Sequence, residues 1–295
     1  MMRLQRTIKR EAFFHGIGLH TGKYATVRLK PAPRDTGIVF FRSDRNAIIR
    51  AGVSSVIDTA FATTLGYDGV KIRTVEHLLA AAAGLGIDNL FIDVDGPEIP
   101  VLDGSSTELV SILLEAGIAK QAKKISYIKI TAPISYEDAH CRIVALPYLG
   151  RRYSYFLSFG HKFLGNQDFT LDLDESSFAA QIAPARTFGF LKDIERLRAN
   201  GLARGGSLDN AVVVGDDGIL NASGLRFADE FVRHKILDSI GDLSLIGMPI
   251  EGQIVMERSG HNANIHFLKR LLASADCYQV VSEVDQVDLR VLNYT

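Results

Sequence analysis

The sequence predicts an α+β protein made of two halves with similar layouts. Three observations carry this expectation. Segments of alternating polar and apolar residues recur in both halves, as strands require. In each half the helical patterns come late, after strands. A short polar stretch, Gln121-Ala122-Lys123-Lys124, separates the two and places a joint between residues 1–122 and 123–295. At 295 residues the chain is long enough for two domains.

The first half opens with two alternating segments, Gln5–Arg10 and Ala25–Leu29. Between them Gly16-Ile17-Gly18-Leu19-His20-Thr21-Gly22 reads as a Gly-rich turn, which could line a ligand site or simply supply positive φ to a hairpin. Residues 31–35 form a loop, and 37–42 a further strand. A helix is expected over Thr74–Ala83, with Thr74 as N-cap, Glu76 in the anion-favouring first turn and Gly84 at the end. Leu90–Val94 is a strand. Ser105 with Glu108 three residues on has the form of a capping box and opens a helix to Ala116, closed by Gly117.

In the second half strands are expected at 125–130, 141–146 and 153–159, then a helical stretch at 178–183 that stops before Pro184. Residues 189–214 break the pattern. Gly189–Arg198 is a short amphipathic helix, Gly201–Ser207 a flexible turn and Ala211–Val214 an apolar strand, together resembling an inserted unit with exposed apolar surface. A helix from Phe231, a strand at 253–256 and a helix at 263–273 complete the chain.

The helix at 231–243 is the unusual one. His234 and Asp238 lie four apart on one face, and Asp242 follows a turn later. Ile236, Ile240 and Leu243 occupy the opposite face, with Phe227 and Phe231 below the His, so the helix is expected to be buried while carrying an imidazole and two carboxylates. Buried charge is costly unless it is paired or bound to metal. Two readings stand: a His–Asp hydrogen bond, or two of the ligands of a zinc ion.

The adjacent pair Glu76-His77 points two side chains about 100° apart on a helix, so they suit different tasks. His77, His234 and Asp238 would make a two-His, one-carboxylate set with a fourth position for water, whose pKa zinc lowers to roughly 7. Glu76 could take the water's proton. His261, in the Arg258-Ser259-Gly260-His261 loop expected after a strand, could protonate a leaving amine, with Asp242 holding it charged. Thr187 could donate to an oxyanion. The chemistry would be metal-assisted amide hydrolysis, though spacing alone leaves open whether these pieces meet.

The totals exclude several classes. A net charge of −1 argues against general nucleic-acid binding and against a polybasic membrane patch. Two cysteines, Cys141 and Cys277, cannot build a disulfide framework or a Cys-rich metal site, which favours a reducing compartment. No apolar run approaches the roughly 20 residues of a membrane helix, and no apolar segment follows the basic residues at 1–10. A soluble, cytoplasmic chain is the expectation, with no integral membrane segment and weak membrane association at most.

Several motifs in order closely resemble the UDP-3-O-acyl-N-acetylglucosamine deacetylases, zinc hydrolases of the committed step of lipid A biosynthesis. They are Gly-Ile-Gly-Leu-His-Thr-Gly at 16–22, Thr-Val-Glu-His-Leu at 74–78, Gly-Ile-Asp-Asn at 86–89 and Asp-Gly-Ser-Ser at 103–106. Ala-Arg-Thr-Phe-Gly-Phe at 185–190, Gly-Gly-Ser-Leu-Asp-Asn at 205–210, Phe-Val-Arg-His-Lys-Ile-Leu-Asp at 231–238 and Ser-Gly-His at 259–261 follow. The resemblance implies two β-α-α-β sandwich domains packed with the site at their interface, each with a small insert, near 40–70 and near 189–214, the second forming an apolar acyl passage. It implies Zn2+ on His77, His234 and Asp238, Glu76 as general base, His261 as general acid oriented by Asp242, and Thr187 as oxyanion donor. Phe188, Phe190, Gly206, Leu19, Lys235 and Arg258 become candidate substrate contacts, the last two for the diphosphate. The substrate implied is an acylated nucleotide sugar, and a monomer is expected. Many relatives carry a Cys near the metal in the stretch matching residues 58–64, and here there is none, so inhibition by a second zinc should be weaker. A non-catalytic sugar-nucleotide or lipid binder and an amidohydrolase acting on a soluble substrate remain as rival readings.

Overall fold

The structure is a computed structural model describing residues 3–158, 160 and 164–282; Phe159 of one expected strand and the ends of the expected halves lie outside the described residues. The first sheet has five strands in the order Ala12–Ile17, Tyr24–Pro31, Leu90–Val94, Ile38–Arg42, Ala47–Arg50. Alternation sets its faces: Ala25, Val27 and Leu29 are buried, while the residues between them are more exposed. Helices α1 (Glu76–Gly84) and α2 (Thr107–Ala116) follow in this part of the chain.

The second sheet has seven strands around Ile250–Glu257, which pairs in parallel with Arg151–Ser158 and antiparallel with Arg142–Leu146. Its helices are α3 (the single turn Glu175–Ser177, running into a π-helical turn over Phe178–Ile182), α4 (Leu191–Ala199), α5 (Glu230–Ser244) and α6 (His261–Ala273). The mixed α+β class matches the expectation. One hydrophobic core runs through both parts, and α1 and α5 are buried within it. These two helices meet so closely that a Cβ on Gly241 would lie 2.1 Å from the Glu76 carbonyl oxygen. Only glycine permits such a backbone approach.

Several local expectations change. Gly16 and Ile17 end a strand, Ala12–Ile17, so the Gly-rich turn is shorter, and this strand rather than Leu4–Ile8 forms the hairpin with Tyr24–Pro31. Leu4–Ile8 pairs instead with Ile118–Lys124, which makes the polar stretch 121–124 part of a strand. Thr74 does not cap α1. It has φ +58°, its hydroxyl donates to Glu98 (2.8 Å), and Val75 stands at the N-cap without a side-chain bond. The capping box at 105–108 does not form: the Ser105 hydroxyl donates to Asp103 (2.8 Å) and accepts from the Thr107 amide. His261 opens helix α6 rather than lying in a loop.

Two small sheets stand apart. Val56–Asp58, Thr64–Tyr67 and Val70–Ile72 form one, near the stretch expected to hold the first insert. Phe188–Phe190 and Val212–Gly215 run parallel with α4 between them, and Gly218–Ile219 completes the other. Leu191, Leu208 and Leu220 of this unit are exposed. No helix among the described residues is long and apolar enough to cross a membrane.

Candidate active site

His77 comes from α1, and His234 and Asp238 from one face of α5. Their ligand atoms all lie within 4.8 Å of one another, and all three side chains are buried. Nε2 of His77 is 3.6 Å and Nε2 of His234 is 3.2 Å from Asp238 Oδ1. The two imidazoles stand edge to face, 5.0 Å between centroids. His234 Nδ1 sits 3.0 Å from the Ala185 carbonyl oxygen, which can only accept, so Nδ1 donates there and Nε2 is the nitrogen turned towards Asp238. Burial holds the His77 pKa below its ordinary value and keeps that ring neutral. Imidazole lone pairs and a carboxylate converging in a buried space repel one another unless a cation lies between them. Burial opposes the charge of Asp238, but His234 and Lys235 outweigh it and hold its carboxyl well below the usual range. The donor set therefore fits a divalent metal of zinc type, with nitrogen and oxygen ligands.

A second group lies alongside. Glu76 is 3 % exposed, and its Oε2 accepts from the Thr63 amide at 3.0 Å. Its Oε1 faces His261 Nε2 at 3.9 Å. Burial, with Asp242 and Asp238 nearby, raises the Glu76 pKa to about 8 against the pull of His261. A cation on the neighbouring ligands would favour its ionised form. His261 Nδ1 lies 2.8 Å from Asp242 Oδ2. Burial opposes a charge on His261, yet Asp242 and then Glu76 prevail and raise its pKa to about 9. Asp242 is fully buried and also accepts from the Thr63 hydroxyl (2.6 Å) and the Asn264 amide (2.9 Å).

A cavity of about 470 Å³ opens over both groups. Among the expected residues, Glu76, His77, Thr187, Phe188, His234, Lys235, Asp238, Arg258, His261 and Leu19 line it. Asp242 stands behind His261. Phe190 and Gly206 lie outside the lining, in the inserted unit, where Gly206 faces Leu19. Backbone bonds hold Thr187: its amide donates to Gly104 (2.8 Å), and its carbonyl accepts from Val212 (2.8 Å). The Phe188 ring packs edge-on against Phe231 at 4.8 Å. Lys235 Nζ donates to Asp238 Oδ2 (2.6 Å), so its ammonium steadies that carboxylate. The Tyr155 hydroxyl donates to the Ser259 carbonyl and fixes the turn before His261.

Sequence reasoning missed His20, Phe61, His140 and Ser259 in the lining, and Thr63, Asn264 and Ala185 behind it. His20 and Ser259 fall inside motifs already singled out. Nothing local marks Ala185, which acts through its backbone.

Comparison with known proteins decides the class. The family model described as UDP-3-O-acyl N-acetylglycosamine deacetylase matches residues 5–273. The chain belongs to this deacetylase family. A UDP-3-O-acyl-N-acetylglucosamine deacetylase of Thermodesulfovibrio yellowstonii is 53% identical over 282 residues, 96% of each chain. One of Syntrophotalea carbinolica is 46% identical over 279 residues, 94% of this chain and 90% of the relative. One of Myxococcus xanthus is also 46% identical over 279 residues, 94% of this chain and 89% of the relative. In this deacetylase the matched span covers all six residues of the two groups, from Glu76 to His261.

Proposed function

We propose that this deacetylase holds zinc on His77, His234 and Asp238 and hydrolyses the N-acetyl group of UDP-3-O-acyl-N-acetylglucosamine, releasing acetate in the committed step of lipid A biosynthesis. The single observation that carries the site is the convergence of three ligand atoms within 4.8 Å next to the Glu76 carboxylate, whose Oε1 faces His261 Nε2 at 3.9 Å. A purely structural metal site closes its fourth position with a protein ligand and has no use for a base.

Zinc, when bound, supplies Lewis acidity: it polarises an amide carbonyl and acidifies water. The protein's own groups divide the proton work. Glu76 Oε2 is tied to the Thr63 amide, leaving Oε1 to take the proton of the attacking water. His261, held charged through Nδ1 by Asp242, delivers a proton from Nε2 to the departing amine nitrogen. Thr187 lines the same cavity and serves as a donor to the oxygen that gains charge. The surroundings bring the two groups close in proton affinity, Glu76 raised to about 8 by burial and His261 raised to about 9 by Asp242, so that one can take a proton and the other give one near neutral pH.

Substrate contacts divide similarly. Leu19 and Phe188 offer apolar wall to the sugar and the start of the acyl chain, and Phe190 and Gly206 belong to the inserted unit that carries the chain onward. Arg258 lines the cavity and serves the diphosphate, whereas Lys235 is engaged by Asp238. Residues 1–122 and 123–295 act as the two units that each bring part of the site. Free Cys141 and Cys277 accord with a cytoplasmic location.

Acetate release from the acylated UDP-sugar, measured with and without chelator, tests the proposal. Loss on chelation and recovery with zinc support it. A metal-free preparation with full activity overturns it.

A further inference from the structure

Glu98 is a buried carboxylate that the chemistry above does not use. It is 0 % exposed, and among the described residues no cation forms an ion pair with it. Four donors satisfy it instead. Oε1 accepts from the His20 amide (2.8 Å) and the Thr74 hydroxyl (2.8 Å); Oε2 accepts from the Thr21 amide (2.7 Å) and the Thr21 hydroxyl (2.6 Å). A Cβ on Gly18 would fall 2.4 Å from Oε2, so the turn closes over the carboxylate only because position 18 is glycine. A buried charge held by hydrogen bonds alone orders whatever supplies its donors, because each lost donor leaves the charge less satisfied.

What Glu98 orders faces two ways. On one side Thr74 leads into Glu76 and His77. On the other, the turn at 18–22 places Leu19 and His20 in the cavity wall and offers its carbonyls to the inserted unit. The Gly205 amide donates to Leu19 (3.0 Å) and the Arg204 amide to His20 (3.2 Å). The fit is close, since a Cβ on Gly205 would lie 2.3 Å from the Gly18 carbonyl oxygen.

We propose that Glu98 is a positioning residue for the acyl substrate: it fixes the 18–22 turn, and the turn seats the inserted unit against the first part of the chain. This rests on reading that unit as the passage for the acyl chain. Glu98 touches no reacting atom, so its loss should raise KM for long-acyl substrate more than it lowers kcat.

Three variants and one measurement independent of activity test the proposal. Thr21→Ala removes one of the four bonds. KM for a long-acyl substrate should rise about threefold, less than the roughly tenfold worth of a hydrogen bond to a charged group because three donors remain, with kcat within about twofold. Thr21→Ser should restore it. In Glu98→Gln, which turns an NH2 towards the donors, KM should rise about tenfold or more. Hydrogen exchange at the Arg204 and Gly205 amides should quicken in both Thr21→Ala and Glu98→Gln, with zinc content unchanged. Unchanged exchange at those amides, or a fall in kcat with KM constant, overturns the proposal. Should wild-type enzyme release no acetate, the deacetylase reading fails, and the exchange measurement still decides whether Glu98 seats the insert.

Discussion

His261 Nδ1 lies 2.8 Å from Asp242 Oδ2, and Asp242 is fully buried beneath it. The pair keeps His261 charged at neutral pH, with its pKa raised to about 9, as the proposed role of general acid requires. The acid is present below that value and lost as pH rises through it, so kcat/KM should fall on an alkaline limb near pH 9. Asp242→Asn removes the largest charge that supports the imidazolium, and the limb should move to lower pH. Activity near neutral pH should drop about 10²-fold, with zinc retained. A pH–rate profile of both proteins checks this; a limb that stays in place would falsify the assignment of His261 as the acid.

Glu76 and His77 are neighbours for which separate tasks are proposed, and substitution should resolve them. Glu76→Ala should keep zinc and lose about 10²- to 10⁴-fold in kcat. His77→Ala should lose zinc, because two protein ligands remain. Elemental analysis alongside turnover separates the two. Near-normal turnover in Glu76→Ala would place the base elsewhere.

Thr63 joins the acid and base sides. Its amide holds Glu76 and its hydroxyl donates to Asp242 at 2.6 Å. Thr63→Val preserves shape and backbone but leaves Asp242 Oδ1 short of a donor, at a cost of about 1–3 kcal/mol in stability. Thr63→Ser should recover most of it. Urea unfolding of the three proteins gives the comparison.

Leu191, Ile194 and Leu197 of α4 lie on the inserted unit, and Leu191 is exposed. Replacing all three with polar residues should raise KM for long-acyl substrate while sparing short-acyl substrate. Equal loss on both would remove the acyl-passage role.

Helix α5 was legible because its information is local: His234 and Asp238 are four residues apart, and the apolar positions around them show burial. The Glu76-His77 pair was legible for the same reason. That the two helices would share a site rested on the motif order, since no periodicity reports a contact between distant segments. Thr63 and Asn264 were missed because their roles appear only when chain far apart in sequence is brought to Asp242. Ala185 was missed because its carbonyl, which any residue would supply, does the work. The caps expected at Thr74 and Ser105 failed because tertiary partners, Glu98 and Asp103, claimed those hydroxyls.

Gly241 meets the Glu76 carbonyl across the α1–α5 crossing with no room for a methyl group. The ligands are thus held apart or together by backbone, and an ion bound to both helices senses their docking directly. Occupancy and folding are then one equilibrium: saturating zinc at 1,000 times its Kd adds about 4 kcal/mol to stability. Gly241→Ala, which alters no ligand, should weaken zinc binding and flatten this metal dependence of Tm together. On the proposed reading of the site, the enzyme's thermal tolerance in the cell would be set partly by how much free metal its surroundings hold.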